Sequence, residues 1–256
     1  MQSNVVLVTG ATQGIGREIA LASAKAGAAA VVVTGLEPEL GNVVVAELEA
    51  LGAKARFIGA DLFDADAPDR IFDYALESFG RVDCLVNSAG ITNRSAVADV
   101  SLDVWERLFA INARAPSFLM KRMIAHLKDR HSTGSILNIL SMNAHGATPP
   151  LAIYAATKAA LLLLTKNAAH AHRYDRIRIN GINVGWVDSP AERQMQAVVL
   201  GKGEQWVEEA NKHAPFGRLL SAQDVGRLAL FLLSDASFPM TGSIVDQEQW
   251  VNGVRD

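Results

Sequence analysis

Tyr154 and Lys158 stand four residues apart at the start of an alanine- and leucine-rich helical pattern. Residues at positions i and i+4 share one face of a helix, so the two side chains can act together. A phenol with an ordinary pKa of about 10 is a weak acid at neutral pH, and a nearby ammonium group favours its ionised form. The pair is a candidate proton shuttle between the protein and a carbonyl or hydroxyl oxygen. The alternative is a packed tyrosine beside a solvated charge.

Two further polar residues could serve the same reaction. Ser141 ends the apolar run 136–140, and ligands of open α/β sheets bind at the carboxyl ends of strands. Its hydroxyl could hold a substrate oxygen, or simply cap the next element. Asn112 lies inside a predicted helix, where its side chain competes for backbone hydrogen bonds. We expect the fold to compensate for it, unless it is an ordinary exposed asparagine.

A glycine-rich turn follows the first apolar run, where residues 9–17 read TGATQGIGR. Glycines let the backbone approach a pyrophosphate, and the free N–H groups that start a helix favour its charge. The spacing Gly-x-x-x-Gly-x-Gly differs from the G-x-G-x-x-G fingerprint, so by itself it also fits a bare tight turn. The residues of this candidate phosphate cradle are Gly10, Thr12, Gln13, Gly14, Ile15 and Gly16.

Short β-branched runs alternate with longer helical patterns along the whole chain. Strands are predicted at 5–8, 31–33, 55–58, 85–86, 136–139, 177–179 and 243–245. Helices are predicted at 14–26, 38–51, 66–78, 102–129, 153–172 and 222–234. The alternation indicates an α/β fold with a parallel sheet of about seven strands, covered by helices on both faces. We expect one doubly wound domain over residues 1–256.

Residues 190–215 interrupt this alternation and are too long for an ordinary connection. Long insertions in compact domains are usually lids or binding loops, so we expect the segment to cover a substrate pocket. A surface excursion with no role in binding is the alternative.

The composition excludes several partner classes. The 256 residues are 50% hydrophobic and carry a net charge of -3 without basic runs, so no nucleic acid is expected as a partner. No apolar stretch approaches the ~18 residues of a membrane span, and no export signal opens the chain, so we expect a cytoplasmic protein without a membrane partner. The six histidines form no metal-ligand pattern, and no metal is expected.

Taken in order, the motifs resemble those of the short-chain dehydrogenase/reductase family, and the resemblance covers almost the full length. It rests on the turn at 9–16, Asp61, NSAG at 87–90, Asn112, Ser141 and Tyr154-x-x-x-Lys158. It implies a single Rossmann-type domain and an NAD(P)-dependent oxidoreductase. Such an enzyme transfers hydride between nicotinamide and a secondary alcohol or ketone, with Tyr154 as general acid and base.

The resemblance also implies roles for single residues. The lysine matching Lys158 binds the nicotinamide ribose, and the asparagine matching Asn112 kinks its helix and holds a water of the proton relay. Asp61 and Leu62 would meet the adenine. Further positions matched to the cofactor are Asn87, Ala89, Gly90, Val187 and Ser189. Val184 stands where relatives usually have proline, so the nicotinamide face departs from the family pattern.

Cofactor choice depends on the end of the second strand, where an acidic side chain binds the ribose of NAD or an arginine binds the 2′-phosphate of NADP. Here Gly35 takes the usual acidic position and Leu36 the usual arginine position. Gln13 stands where many NADP-using relatives have a basic residue, and Glu37 would repel a 2′-phosphate. We therefore predict NAD(H) in preference to NADP(H).

The loop between Ser141 and Tyr154 is polar and would pass beside the reacting carbon. Asn143 and His145 could bind hydroxyl groups, and Trp186 would form a wall of the same pocket. A small polar substrate such as a sugar or polyol is expected, although a loop without contacts would show the same pattern. A reductase of 3-oxoacyl or other ketones, and a non-catalytic NAD(P)-binding sensor or regulator, stay as alternatives.

The helix from Ile153 is apolar on almost all sides over its first three turns. Such a helix should be buried on more than one side. Relatives commonly form dimers or tetramers through this helix and the one before it, so we expect a homo-oligomer. The alternative is a central helix buried within its own domain.

Overall fold

A computed structural model describes residues 1–252, and residues 253–256 of the predicted domain lie outside this range. The strands in it are β1 Val5–Thr9, β2 Ala30–Gly35, β3 Lys54–Gly59, β4 Cys84–Asn87, β5 Gly134–Ser141, β6 Ile177–Val184, β7 Val187–Asp188, β8 Leu220–Ser221 and β9 Ile244–Gln247. The helices are α1 Gly14–Lys25, α2 Pro38–Ala50, α3 Ala67–Phe79, α4 Leu102–Phe109, α5 Ala115–Asp129, α6 Ala152–Ala171, α7 Pro190–Arg193, α8 Trp206–His213 and α9 Ala222–Leu233. Within the described residues, no helix is both long enough and apolar enough to cross a membrane.

The large sheet has seven strands in the order β3-β2-β1-β4-β5-β6-β9, and every neighbouring pair is parallel. The predicted seven-stranded parallel sheet is therefore confirmed. The chain builds outward from β1 to β3, then returns to β4 on the other side of β1. The carboxyl ends of β1 and β4 thus flank a topological switch point, where open α/β sheets bind their ligands.

Apolar side chains cover both faces of this sheet. Successive residues of a strand point to opposite faces, and in β1 Val6 packs in a cluster with α1 and α9 while Leu7 packs in a cluster with α3 and α5. All of β1 is buried. Cys84 is buried in β4, and this burial raises the pKa of its thiol to about 12. The double covering explains why the strands read as continuous apolar runs.

The segment predicted as one helix over 102–129 is interrupted. A π-helical turn at Ala110–Arg114 separates α4 from α5. The helix is therefore not continuous, and its interruption falls at Asn112, where the family resemblance implied a kink; the Asn112 side chain bonds to Ile91 and Thr157. Turns of this kind often occur at functional sites.

The inserted segment at 190–215 contains α7, a π-helical turn at Gln194–Val199 and α8. Trp206 of α8 is buried and stacks on Trp186, with ring centroids 6.0 Å apart. Ala210 and Leu219 complete this small cluster. The segment, called the lid below, therefore has its own apolar anchor beside the sheet. A two-stranded pairing of β7 with β8 at its base was not predicted, since strands of two residues leave no periodicity.

Candidate active site

The glycine-rich turn joins β1 to α1 at the switch point. Gly10 has a φ of +62°, and a Cβ there would lie 2.6 Å from Ala89 Cα, so only glycine permits this close approach. A Cβ on Gly16 would lie 2.2 Å from the carbonyl oxygen of Gly10. Gln13 precedes α1 without a side-chain capping bond to any described residue, and the first turn holds no acidic residue. Backbone N–H groups are therefore presented to an anion such as a pyrophosphate.

Hydrogen bonds hold the loop after β4 next to this turn. Thr9 Oγ accepts hydrogen bonds from the N–H groups of Ser88 and Ala89, each at 3.2 Å. Asn87 Nδ2 donates to Asn138 Oδ1 at 2.8 Å. Asn87 Oδ1 is buried and has no partner within residues 1–252. Since a buried acceptor is stabilised by a donor, this oxygen and the glycine cradle fit a dinucleotide lying across the switch point.

A carboxylate lies at the end of β2, although not at the usual position. Thr12 Oγ1 donates to Glu37 Oε2 at 3.0 Å. A Cβ on Gly35 would lie 2.4 Å from Thr12 Cγ2, so the threonine side chain takes the space that a residue at 35 would fill. Leu36 is exposed and brings no charge. The carboxylate of Glu37 is thus held next to the glycine-rich turn.

Asp61 follows β3 at the same edge of the sheet. Its Oδ1 accepts the N–H of Phe63 at 2.9 Å, and its Oδ2 forms an ion pair with Arg107 at 3.3 Å. Leu62 beside it is buried. The contact of these residues with an adenine stays a prediction. The Asp61 carboxylate also forms an ion pair with Arg107 of α4.

Asn112 connects three elements around the candidate site. It is 1% exposed, accepts the N–H of Ile91 at 2.9 Å, and donates to the carbonyl of Ile91 at 2.9 Å and to Thr157 Oγ1 at 3.1 Å. A Cβ on Gly90 would lie 3.3 Å from Asn112 Oδ1 and 3.4 Å from Lys158 Nζ. Three residues singled out in the sequence therefore meet at one point, and the π turn supplies the asparagine.

Lys158 is buried in α6 and donates from Nζ to the carbonyl of Ile139 at 2.9 Å. Its Nζ lies 5.9 Å from the centroid of the Tyr154 ring. Burial lowers the pKa of Lys158 to about 8, because the charged ammonium loses its hydration. The side chain is thus held near the Tyr154 ring, and its pKa is closer to neutral pH than that of an ordinary lysine.

Tyr154 is buried, and its pKa lies above the ordinary value for a phenol. Burial is the main cause, the negative charge of Glu192 adds to it, and a hydrogen bond with Ser141 acts in the opposite direction. The expectation that Lys158 lowers the pKa of this phenol is wrong for this structure. Burial of the phenol penalises its charged form and sets the direction of the shift.

The residues predicted to bind the substrate begin at Ser141, whose Oγ accepts the N–H of Asn143 at 3.2 Å. His145 lies four residues after Ser141 and is exposed; its Nε2 is 3.0 Å from Asp246 Oδ1. Asn183 Nδ2 donates to the same carboxylate oxygen at 2.7 Å. These bonds keep the pKa of Asp246 below its ordinary value despite partial burial. The loop of His145 is therefore tied to β6 and β9 and is not a loose surface loop.

The chain after β6 leads into the inserted segment at 190–215. Trp186 Nε1 donates to Glu192 Oε1 at 2.8 Å. Ser189, predicted to bind a cofactor carboxamide, caps α7 by accepting the N–H of Glu192 at 3.2 Å. Val187 is buried in β7. Ser189, a residue predicted to bind the cofactor, therefore also starts the inserted segment by capping α7.

Sequence reasoning missed four polar residues here, namely Thr157, Asn183, Glu192 and Asp246. Thr157 lies on α6 between Tyr154 and Lys158, whereas Asn183, Glu192 and Asp246 come from other elements, and no local motif distinguishes any of the four. The only available signal was the presence of polar residues on otherwise apolar strands, as at Asn183 in β6.

The fold and this site define a Rossmann-type dinucleotide-binding oxidoreductase, and comparison with known proteins agrees. A family model described as enoyl-(acyl carrier protein) reductase matches residues 10–248. The short-chain dehydrogenase/reductase FrzI of Cladobotryum sp is 30% identical, over 94% of this chain and 92% of that relative. The 2,5-dichloro-2,5-cyclohexadiene-1,4-diol dehydrogenase LinX of Sphingobium indicum is 33% identical, over 94% and 93%.

A solved structure, a variant of actinorhodin polyketide ketoreductase with NADPH, matches with a TM-score of 0.90 and 25% identity over 97% of this chain and 98% of that one. The chain belongs to the short-chain dehydrogenase/reductase family, as its motifs predicted. It is an oxidoreductase of the class that interconverts CH–OH groups and ketones with NAD(P).

Proposed function

We propose that the protein is an NAD-dependent dehydrogenase of small polyhydroxylated alcohols, with Tyr154 as the proton-transferring residue. One observation carries this proposal: the buried phenol of Tyr154 lies 5.9 Å from the buried Nζ of Lys158, measured to the ring centroid, and Ser141 ends the strand β5. A bound nicotinamide dinucleotide would supply or accept the hydride.

Each of these side chains has a distinct task in the proposed reaction. Ser141 holds the substrate oxygen by a hydrogen bond, since its hydroxyl can both donate and accept. Tyr154 Oη removes the hydroxyl proton during oxidation and returns it during reduction. The raised pKa keeps the phenol protonated at neutral pH, which is the form that donates a proton when a ketone is reduced.

In the proposed reaction a protonated Lys158 would offset part of the cost of forming a buried phenolate during oxidation. Its pKa of about 8 means that most of the ammonium form persists at pH 7. By the family resemblance, this lysine would also bind the ribose hydroxyls of the cofactor. Asn112 fixes Ile91 and Thr157 around it, so that the lysine and the phenol keep their relative position.

A polar substrate is supported by the surroundings of Ser141. Asn143 and His145 lie on the polar loop that follows Ser141, and they bond to Ser141 and Asp246. One relative is named as a dehydrogenase of a cyclic diol, which is a substrate of the same polar kind. A family model named for an acyl carrier protein substrate keeps the reductase alternative open as an outcome of the tests.

The choice of NAD over NADP is supported by Glu37. Its carboxylate is held by Thr12 at the end of β2, where it can accept hydrogen bonds from ribose hydroxyls and repel a 2′-phosphate. The ketoreductase of the structural comparison holds NADPH, so cofactor choice varies within this fold.

The test is the Tyr154→Phe variant, measured by NADH formation at a wavelength of about 340 nm with a panel of sugars, polyols and secondary alcohols. Loss of a general acid and base should lower kcat by about 10²–10⁴-fold. Binding of NAD, followed by calorimetry, should be nearly unchanged, because the phenol contributes little to cofactor affinity. Tyr174→Phe is the control, since Tyr174 is 84% exposed and far from the reaction.

Two results would contradict the proposal. Turnover retained in Tyr154→Phe would show that another group transfers the proton. Tight NAD binding by the wild type without turnover of any alcohol or ketone would instead favour the sensor alternative.

A further inference from the structure

The two residues that follow β9 contact both ends of the lid. Glu248 and Gln249 come directly after this strand, and both are half-buried. The chain enters the lid through residues 186–189 and leaves it through residues 216–221. Neither the sequence motifs nor the proton transfer proposed above gives Glu248 or Gln249 a task. Their bonds to both ends of the lid therefore require their own explanation.

Glu248 holds the entrance of the lid by its carboxylate. Its Oε2 accepts the N–H of Trp186 at 3.0 Å, and its Oε1 accepts the N–H of Gln249 at 2.6 Å. A Cβ on Gly185 would lie 2.2 Å from Oε2, so a side chain there would displace the carboxylate. Proline before this glycine would fix one φ angle of the turn. With Val184 in its place, the bond between Trp186 and Glu248 restrains the turn instead.

Gln249 holds the exit of the lid with both halves of its amide. Its Oε1 accepts the N–H of Phe216 at 2.9 Å, and its Nε2 donates to the carbonyl of Arg218 at 2.7 Å. A carboxamide offers one acceptor and one donor group, so it satisfies both backbone groups at once. A carboxylate of the same size could accept from Phe216 but could not donate to Arg218.

The entrance and the exit form one base under the lid. Val187 of β7 pairs with Leu220 of β8, and the N–H of Leu220 donates to the carbonyl of Trp186 at 3.0 Å. Leu219 belongs to the apolar cluster around Trp206. Glu248 bonds to this base at its first strand and Gln249 at its second, so the two residues reach it from both sides.

The segment that carries these two side chains is itself fixed to the sheet. Gln247 is the last residue of β9, and its carbonyl accepts the N–H of Gly185 at 2.9 Å. Its Nε2 donates to the carbonyl of Asp224 in α9 at 2.9 Å. The bonds of Glu248 and Gln249 therefore connect the base of the lid to the rigid part of the fold.

We infer that Glu248 and Gln249, called the β9 clamp below, are positioning residues that hold the base of the lid against the sheet. The clamp keeps the lid ordered before a substrate arrives, so the substrate does not have to order it. Only the effect on turnover rests on the proposed function. The effect on the lid itself is measured without any substrate.

The first test is hydrogen exchange in the wild type and in Gln249→Met, followed by mass spectrometry. Methionine keeps the unbranched shape and removes both hydrogen bonds to the exit. We expect exchange across residues 206–221, which include α8, to become about tenfold faster. Exchange in α1 should be unchanged. Gln249→Glu keeps an acceptor for Phe216 and should give rates between those of the wild type and Gln249→Met.

Gln194→Met is the matched control, because Gln194 is an exposed glutamine of the lid that does not contact its base. Its exchange rates should equal those of the wild type. Glu248→Ala releases the entrance alone. It should speed exchange in α8 as well, since both ends share one base.

The second test separates KM from kcat, with NAD and the alcohol of the panel that the wild type oxidises fastest. Gln249→Met should raise KM by about threefold or more, because substrate binding then has to order the lid. Its kcat should change less than about twofold, since the reacting groups are intact. Gln194→Met should keep both constants.

Acceleration confined to residues 216–219, or an equal acceleration in Gln194→Met, overturns the inference. So does faster lid exchange without a change of KM, because the clamp would then not serve the reaction. A wild type that oxidises no alcohol is a different result, which counts against the proposed function. Hydrogen exchange in α8 then decides on the clamp separately, and equal rates in the wild type and in Gln249→Met would overturn it.

Discussion

Burial sets the chemistry of the proton-transferring residues at the scale of single side chains. Tyr154 and Lys158 are both buried, and desolvation favours the neutral form of each. The phenol keeps its proton more firmly than a free tyrosine, whereas the lysine gives its proton up more readily. The two pKa values therefore move apart, since that of Tyr154 rises above its ordinary value and that of Lys158 falls to about 8.

The pKa of Lys158 makes a prediction about stability. Below pH 8 both the folded and the unfolded chain carry the ammonium, and its burial penalty is constant. Between pH 8 and the ordinary pKa of 10.5, only the unfolded chain keeps the proton, so the free energy of unfolding rises with pH. From pH 7 to pH 9.5 the wild type should gain about 2 kcal/mol relative to Lys158→Met.

Urea unfolding of both proteins at the two pH values measures this gain. Titrations common to both proteins cancel in the difference. A difference that stays constant across this range would show that Lys158 is not desolvated in solution.

Glu37 carries the prediction on cofactor choice. Glu37→Gln should lower the ratio of kcat/KM for NAD to kcat/KM for NADP by roughly tenfold, because the charge that repels a 2′-phosphate is lost. Initial rates with both cofactors give the ratio. Glu39→Gln is the control, since Glu39 is the second residue of α2 and is exposed. The prediction is wrong if both variants keep the wild-type ratio.

Helices and loops around the site are joined by single side chains at the scale of elements. Asn112 in the π turn bonds to both backbone groups of Ile91, in the loop after β4, and to Thr157 of α6. Thr157 in turn donates to the carbonyl of Tyr154 at 2.6 Å. The asparagine thus fixes the spacing between the predicted cofactor loop and the helix that carries the tyrosine and lysine.

Removing this connection should destabilise the protein. Asn112→Leu leaves the two backbone groups of Ile91 and the Thr157 hydroxyl without their partner, which costs about 2–4 kcal/mol of unfolding free energy. Urea unfolding gives the value, and hydrogen exchange should be faster in residues 88–92. Asn42→Leu on the exposed face of α2 is the control for the change of residue type. A cost in Asn112→Leu no larger than in Asn42→Leu would contradict this account.

At the scale of the whole molecule, α5 and α6 leave an apolar groove uncovered. The groove has a volume of about 620 Å³ and is lined by Met120, Ile124, Leu164 and Ala168, with Lys128 and Asp129 at its rim. On α6, Leu163 is 59% exposed and Leu164 is 40% exposed. The domain itself therefore does not bury this helix completely. A second copy related by a twofold axis would cover the groove and bring opposite charges together.

We propose that the protein is a homo-oligomer through this groove. The wild type should sediment as a dimer or tetramer, and Leu164→Glu should shift it toward the monomer, because a charge would be buried in the interface. Leu51→Glu, with the same 40% exposure at the end of α2, should leave the assembly unchanged. A wild type that sediments as a monomer at micromolar concentration would contradict the proposal.

The local pattern of the sequence determined the parallel sheet, the helices that cover it, the glycine-rich turn and the pairing of Tyr154 with Lys158. These features follow from periodicity and from spacing within one element, which need no knowledge of distant residues. The local pattern alone did not show the interruption at Asn112, which only the family resemblance implied, because its bonds go to Ile91 and Thr157, remote along the chain.

Only the tertiary structure decided the surroundings of the site. It joined Thr12 to Glu37 across the end of β2, bonded His145 to Asp246, and bonded Glu192 to the indole of Trp186. It also reversed the expected direction of the pKa shift of Tyr154. Burial and charge at a point in space depend on all elements that meet there, and a one-dimensional pattern contains no information on which residues those are.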